Sequence, residues 1–205
     1  MSDVPKQTNL VVHEVNVGDA TPVKQHPYRL CPAQSQFLTS EINYMLENNI
    51  IERSESPWSS PCVLVSKPDG TYSFCTDYRK VNLVTKADAF PIPRIDDLID
   101  RVGQATYVTK VDLLSGYWQV PLSEEAKQVS AFCTSDGLYQ YKGMPFGMKN
   151  APATFQRLMN KVIADIPNFS AYLDDLVIYY NDFDAHLACL RISKAEELLS
   201  YYILS

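Results

Sequence analysis

Basic charge is in short supply. Eighteen Lys and Arg stand against 24 Asp and Glu in 205 residues, a formal net charge of −6, so no overall positive field draws the chain to a polyanion and any such contact has to be local. The five cysteines, Cys31, Cys62, Cys75, Cys133 and Cys189, are odd in number, scattered and without a CxxC spacing, which argues against a disulfide framework and a thiolate zinc site and for a reducing compartment. No run of about 18 apolar residues exists, and the first residues lack a basic start followed by an apolar core. The sequence therefore predicts an intracellular protein, cytoplasmic or nuclear, with no membrane partner. Internal repeats and low-complexity segments are absent too. What is there, 46% hydrophobic and 20% charged residues, suits a globular chain of one compact unit or two lobes sharing a core.

Residues 1–32 carry Pro5, Pro22, Pro27 and Pro32 with little periodicity, which predicts an extended arm or linker. Leu38, Ile42, Met45 and Leu46 then repeat at helical spacing until Asn48-Asn49. Cys62–Val65 and Tyr72–Cys75 flank Lys67-Pro68-Asp69-Gly70, where Pro presets a turn and Gly permits positive φ, so a hairpin is predicted with a lysine at its tip. A short helix holds Ile95, Leu98 and Ile99; a strand over Tyr107–Leu113 ends in a carboxylate; Val129–Cys133 and Leu138–Tyr141 predict a further strand pair. A helix from about Ala151 to Ile166 tolerates Pro152 in its first turn and has Phe155, Leu158, Met159, Val162 and Ile166 as its apolar stripe. A last helix is predicted over about Asp184 to Leu199.

The most informative feature is Tyr172-Leu173-Asp174-Asp175, two adjacent carboxylates between the apolar runs Phe169–Leu173 and Leu176–Tyr180. Successive strand residues point to opposite faces, so both acids reach one site only if the chain reverses at Asp174-Asp175 in a tight hairpin. Hard divalent cations suit such a pair. Mg²⁺ takes oxygen ligands and is usually held by one or two carboxylates together with substrate phosphates, which points to phosphoryl or nucleotidyl transfer. Two ions about 4 Å apart need a third ligand from elsewhere. Asp112, closing the Thr106–Val111 run, is the best-placed candidate, with enough chain between it and Asp174 for the two strands to lie side by side in one antiparallel sheet.

Three segments in order, Val111–Gln119 (VDLLSGYWQ), Met144–Gln156 (MPFGMKNAPATFQ) and Tyr172–Asp175 (YLDD), resemble successive polymerase motifs of reverse transcriptases. Upstream, Ser56–Pro61 (SPWSSP) and Asp77–Asn82 (DYRKVN) resemble the fingers of gypsy-like long-terminal-repeat retrotransposon enzymes. The match runs roughly from His26 to His186. The resemblance implies an α+β fold, the fingers and palm of a right-hand polymerase with an antiparallel palm sheet backed by helices. It divides the chain into an arm at 1–32, fingers and the start of the palm at 33–105, palm at 106–190 with fingers strands inserted around 121–142, and a divergent tail at 191–205. The thumb, ribonuclease H and integrase of a full polyprotein are expected to be missing, as is the preceding protease, since no Asp-Ser-Gly or Asp-Thr-Gly appears.

By the same resemblance Asp112, Asp174 and Asp175 are the catalytic triad and ligands of two Mg²⁺ ions, with Mn²⁺ as a substitute. Tyr117 lies under the incoming sugar, where a flat ring excludes a 2′-hydroxyl. Ser115 and Gly116 offer backbone N–H groups to the triphosphate. Lys67 binds phosphate, Phe146 lies near the nucleotide, and Arg79, Lys149, Pro152 and Gln156 serve the nucleic acid. The implied partners are an RNA or DNA template with primer and deoxynucleoside triphosphates, with self-association through an exposed palm surface. One departure stands out. The family pattern has a basic residue, usually arginine, where this chain has Ser73, and that arginine would grip the triphosphate.

Three function classes follow. The first is an RNA-directed DNA polymerase domain adding deoxynucleotides to a primer 3′-hydroxyl. The second, favoured by Ser73, by the expected lack of a thumb and by the acidic charge, is a catalytically impaired, truncated remnant acting at most as a nucleic-acid-binding or interaction module. The third, another Mg²⁺ phosphoryl-transfer enzyme, loses ground because a haloacid-dehalogenase-like phosphatase wants an Asp at the position of Leu114. Tyr117 disfavours an RNA-dependent RNA polymerase.

Overall fold

A computed structural model describes residues 6–112, 116–173 and 175–195. In chain order these form α1 (Pro32–Glu47), β1 (Ile51–Arg53), β2 (Ser60–Ser66), β3 (Tyr72–Thr76), α2 (Arg79–Val84), α3 (Ile95–Val102), β4 (Tyr107–Asp112), a 3₁₀ turn (Gly116–Gln119), α4 (Glu124–Val129), β5 (Phe132–Cys133), β6 (Leu138–Tyr141), α5 (Ala151–Val162), β7 (Phe169–Tyr172), β8 (Asp175–Tyr180) and α6 (Phe183–Ala195). The mixed composition is the predicted α+β class.

Two sheets organise the chain. One has the order β1-β6-β5-β2-β3, and the other is the three-stranded β4-β8-β7. In the first, β2 and β3 form the predicted hairpin, and β2 also runs parallel to β5. The second is antiparallel throughout, with β4 and β7 flanking β8. Leu176 and Ile178 alternate inward along β8, at 2% and 0% exposure, and share one hydrophobic core with Phe155, Leu158 and Met159 of α5. The stripe predicted for α5 is therefore buried, with the helix packed against β7, although the helix ends at Val162 and not at Ile166.

Several expectations are corrected. The segment Val129–Ala131 is not strand. Ser123 accepts the Ala126 N–H at 3.1 Å and caps α4, with Glu124 and Glu125 in its first turn, so helix runs to Val129 and only Phe132–Cys133 pair as β. The arm, described from residue 6 onward, is extended and tied to the rest of the chain. Val11 and His13 are buried, His13 bridges to Leu122 and Lys24 to Ser59. The exposed palm surface expected for self-association would draw on Leu176–Tyr180 and residues 201–204, but Leu176 and Ile178 are core, and 201–204 lie outside the described residues. The exposed apolar side chains instead include Ile95 and Ile99 of α3, Tyr107 and Val108 of β4, and Phe183.

Tight contacts join the two sheets. A Cβ on Gly143 would lie 2.2 Å from the Trp118 carbonyl oxygen, so only glycine lets the chain after β6 pass the 3₁₀ turn that follows β4. Tyr78, at 2% exposure, donates its hydroxyl to the Ser130 carbonyl at 2.8 Å and ties the start of α2 to the end of α4.

Candidate active site

The palm register brings the acids together. Asp112, last residue of β4, is the direct cross-strand partner of Asp175, first residue of β8. Directly opposed residues of an antiparallel pair share one face with Cβ atoms about 4.5–5.5 Å apart, so two carboxylate positions distant in sequence become neighbours. Asp174 lies outside the described residues, but its flanks define the turn: Tyr172 pairs with Asp175, leaving Leu173 and Asp174 as a two-residue connection. The reversal thus falls one residue earlier than the sequence suggested, and Leu173 takes a positive φ of 52° to make it.

That strained turn is held from below by Gln156, which is fully buried on α5. Its Oε1 accepts the Leu173 N–H at 2.9 Å, and its Nε2 donates to the Ala171 carbonyl at 3.0 Å and to Asn160 Oδ1 at 2.9 Å. Expected to serve nucleic acid, Gln156 is placed by the structure on the hairpin's backbone. A cation is also near the acids. Lys110 Nζ lies 2.9 Å from Asp175 Oδ1, a contact that the sequence reading did not single out.

In the 3₁₀ turn that follows β4, Tyr117 is only 6% exposed. Its ring stacks on Phe146 at 4.6 Å with the planes 19° apart and meets Phe155 at 4.9 Å. Phe146, 52% exposed, forms the outer layer of this stack. Gly116 is buried at the start of the 3₁₀ turn, while Ser115 lies outside the described residues. The loop carrying Phe146 is lashed to α2: Asn82 donates to the Gly147 carbonyl at 2.8 Å and accepts the Lys149 N–H at 2.9 Å. Lys149 turns its ammonium onto the Thr85 carbonyl at 2.8 Å. Pro152 is half-buried in the first turn of α5.

The remaining site candidates lie on the other sheet and at its edge. Lys67 is exposed where the β2–β3 turn closes through Lys67 N–H to the Thr71 carbonyl at 2.8 Å. Ser73 is half-buried opposite Val65 on β3. Arg79 is oriented by Asp77, with Nε 2.9 Å from Oδ1 and a terminal nitrogen 2.7 Å from Oδ2, yet its side chain is 84% exposed. Tyr28 of the arm donates to the same carboxylate at 3.1 Å. The paired guanidinium, ahead of smaller contributions from other hydrogen bonds, holds the Asp77 carboxyl down at about 2.

The donor set fits a divalent cation: two aspartate positions in direct register are residues that would supply hard oxygen ligands, and an ammonium at 2.9 Å from Asp175 shows that a positive charge is accommodated there. Among the described residues no three His, Cys, Asp or Glu gather closely enough to hold a metal ion by themselves, so Asp174 would have to complete the set.

Residues 65–199 match the family model described as reverse transcriptase (RNA-dependent DNA polymerase). The chain belongs to the reverse transcriptase family. A homolog of RNA-directed DNA polymerase from Oenothera berteroana is 46% identical over 125 residues, which cover 58% of this chain and 88% of that protein. The retrovirus-related Pol polyprotein from transposon 297 of Drosophila melanogaster is 35% identical over 192 residues, covering 90% of this chain. That match takes in 18% of the polyprotein's length, so this reverse transcriptase domain corresponds to a fraction of its long relatives. Likeness to the Drosophila element supports the gypsy-like assignment. In fold, the domain superposes on a foamy viral protease-reverse transcriptase, solved in complex with double-stranded DNA, with a TM-score of 0.88 at 23% identity over 99% of this chain and 36% of that one. The α+β core with its antiparallel three-stranded sheet is thus a fingers and palm arrangement.

Proposed function

We propose that this domain carries out RNA-directed DNA synthesis, with Asp112, Asp174 and Asp175 as the ligands of two Mg²⁺ ions. The cross-strand register of Asp112 and Asp175 carries the reading, because it is the arrangement that a two-metal site demands of this pair. When bound, the ions supply activation of a primer 3′-hydroxyl and neutralisation of the triphosphate. The chain's own residues do the positioning. Gln156 fixes the hairpin that presents Asp174 and Asp175; the buried Tyr117, backed by Phe155 and layered under Phe146, forms a rigid wall that selects against a 2′-hydroxyl; Asn82 holds the Phe146 loop in place.

Primer–template contact is assigned to Arg79, Lys149 and Pro152, and nucleotide contact to Lys67, Ser115, Gly116 and Phe146. The exposed, carboxylate-oriented guanidinium of Arg79 supports a phosphate contact, and the foamy viral neighbour's complex with double-stranded DNA supports a nucleic-acid partner. The exposed Tyr107–Phe183 ring pair, centroids 5.4 Å apart, supports self-association through that side of the palm. A second reading, an impaired remnant that binds nucleic acid without turnover, is favoured by Ser73 and by the net charge of −6.

Primer extension on poly(rA)/oligo(dT) with Mg²⁺, run beside an Asp174→Asn variant, separates the two. Extension by the parent and none by the variant is the expected result. Retained primer–template binding without extension in either would favour the remnant.

A further inference from the structure

The strand that ends in Asp112 also carries Lys110, two residues earlier and therefore on the same face of the sheet. In the register, Lys110 opposes Val177 while Asp112 opposes Asp175, so Lys110 is the diagonal neighbour of Asp175. Its ammonium spans that diagonal and sits 2.9 Å from Asp175 Oδ1. Both side chains keep about half of their surface, 57% for Lys110 and 47% for Asp175. A pair so exposed adds little to folding stability. Its consequence is electrostatic and local.

We propose that Lys110 is the resident counter-cation of the carboxylate site: it neutralises Asp175 while no divalent ion is bound, and its charge sets how tightly an ion is held. The proposal rests on the reading of these aspartates as cation ligands. An incoming ion meets a like charge and competes with it for the same carboxylate, so the ammonium weakens ion binding. It also lessens repulsion between the acids before an ion arrives. Lysine suits both tasks. Its point charge rides on a flexible stem that can withdraw into water, whereas the planar fork of arginine is made to stay on a carboxylate.

The test is Mn²⁺ binding without nucleic acid, followed by the electron paramagnetic resonance signal of the free ion at constant pH. Lys110→Met and Lys110→Gln should each tighten Mn²⁺ binding by about tenfold, as expected when one unit charge is removed within a few ångströms of a divalent ion. Lys110→Arg, which keeps the charge, should bind no more tightly than the parent. Unfolding midpoints of the two neutral variants should stay close to the parent's, since the pair is exposed. Unchanged or weaker Mn²⁺ binding in both neutral variants would overturn the proposal, and so would a loss confined to primer–template affinity, which would make Lys110 a phosphate contact. If the parent binds Mn²⁺ and Asp175→Asn abolishes it, a null result at Lys110 defeats this inference alone; a parent that binds no Mn²⁺ defeats the metal reading and this inference together.

Discussion

Gln156 grips the β7 side of the hairpin and its turn: its Oε1 accepts the Leu173 N–H at 2.9 Å and its Nε2 donates to the Ala171 carbonyl at 3.0 Å. Leu173 has a positive φ of 52°, a conformation that a side chain resists and the surroundings must impose. Gln156→Leu fills the space without either hydrogen bond and leaves buried backbone groups unpartnered. The expected cost is about 1–3 kcal/mol of unfolding free energy. Synthesis should fall by more than that loss of folded protein explains, through kcat with KM for nucleotide little changed, because the acids would lose their placement. Denaturant titration beside steady-state kinetics checks both parts.

Tyr117 is nearly enclosed, 4.6 Å from Phe146 and 4.9 Å from Phe155. Tyr117→Val opens space where the proposed function places a sugar edge. Discrimination against ribonucleotides, measured as the ratio of kcat/KM for deoxy- and ribonucleotide, should drop by at least about tenfold, the scale of small steric changes in a pocket. An unchanged ratio would remove Tyr117 from sugar selection.

Ser73 offers one neutral donor on a short stem, whereas a guanidinium binds phosphate through two charge-assisted hydrogen bonds. Ser73→Arg should raise kcat/KM for deoxynucleotide at least tenfold, within the roughly 2–4 kcal/mol attributed to single electrostatic donors at reacting charge. Equal activity in parent and variant would show that Lys67 or another basic group already holds the triphosphate.

The arm makes stability depend on pH through His13. Its Nδ1 is 2.8 Å from Thr154 Oγ1, and burial, with the Arg157 charge adding to it and the Asp88 charge opposing, pushes its pKa from 6.5 down to about 4. In the unfolded chain the imidazole protonates first, so the folded state is favoured above pH 6.5 and loses ground as pH falls from about 6.5 to about 4. The full loss is on the order of 3 kcal/mol. Urea midpoints at pH 7 and 4.5 should therefore diverge more in the parent than in His13→Gln, which keeps a polar group for Thr154 and carries no titrating proton.

Much of this architecture can be read in the sequence, and the exceptions have physical causes. The β2–β3 hairpin and α5 stand on strong local signals, the Pro-Asp-Gly turn and the stripe from Phe155 to Val162. The start of α4 carries a local signal in Ser123-Glu124-Glu125, a cap followed by acids, whereas the apolar run from Val129 reads as strand although Val129 closes the helix. The arm was not legible, because its burial comes from contacts with Leu122 and Ser59 far along the chain. At the site, adjacency of Asp174 and Asp175 and a carboxylate at a strand end pointed to the acids. Lys110 and the clamp by Gln156 carry no local signal, since one depends on a cross-strand diagonal and the other on which face of α5 meets the hairpin.

The central claim is that Asp112, Asp174 and Asp175 together hold the ions of a nucleotidyl transfer. Anomalous diffraction from crystals of the domain soaked with Mn²⁺, primer–template and a non-hydrolysable deoxynucleotide analogue addresses it most directly. Two peaks about 4 Å apart, bounded by the carboxylates of Asp112 and Asp175, are the predicted result. Mn²⁺ absent from that edge of the palm sheet, with the analogue in place, would contradict it.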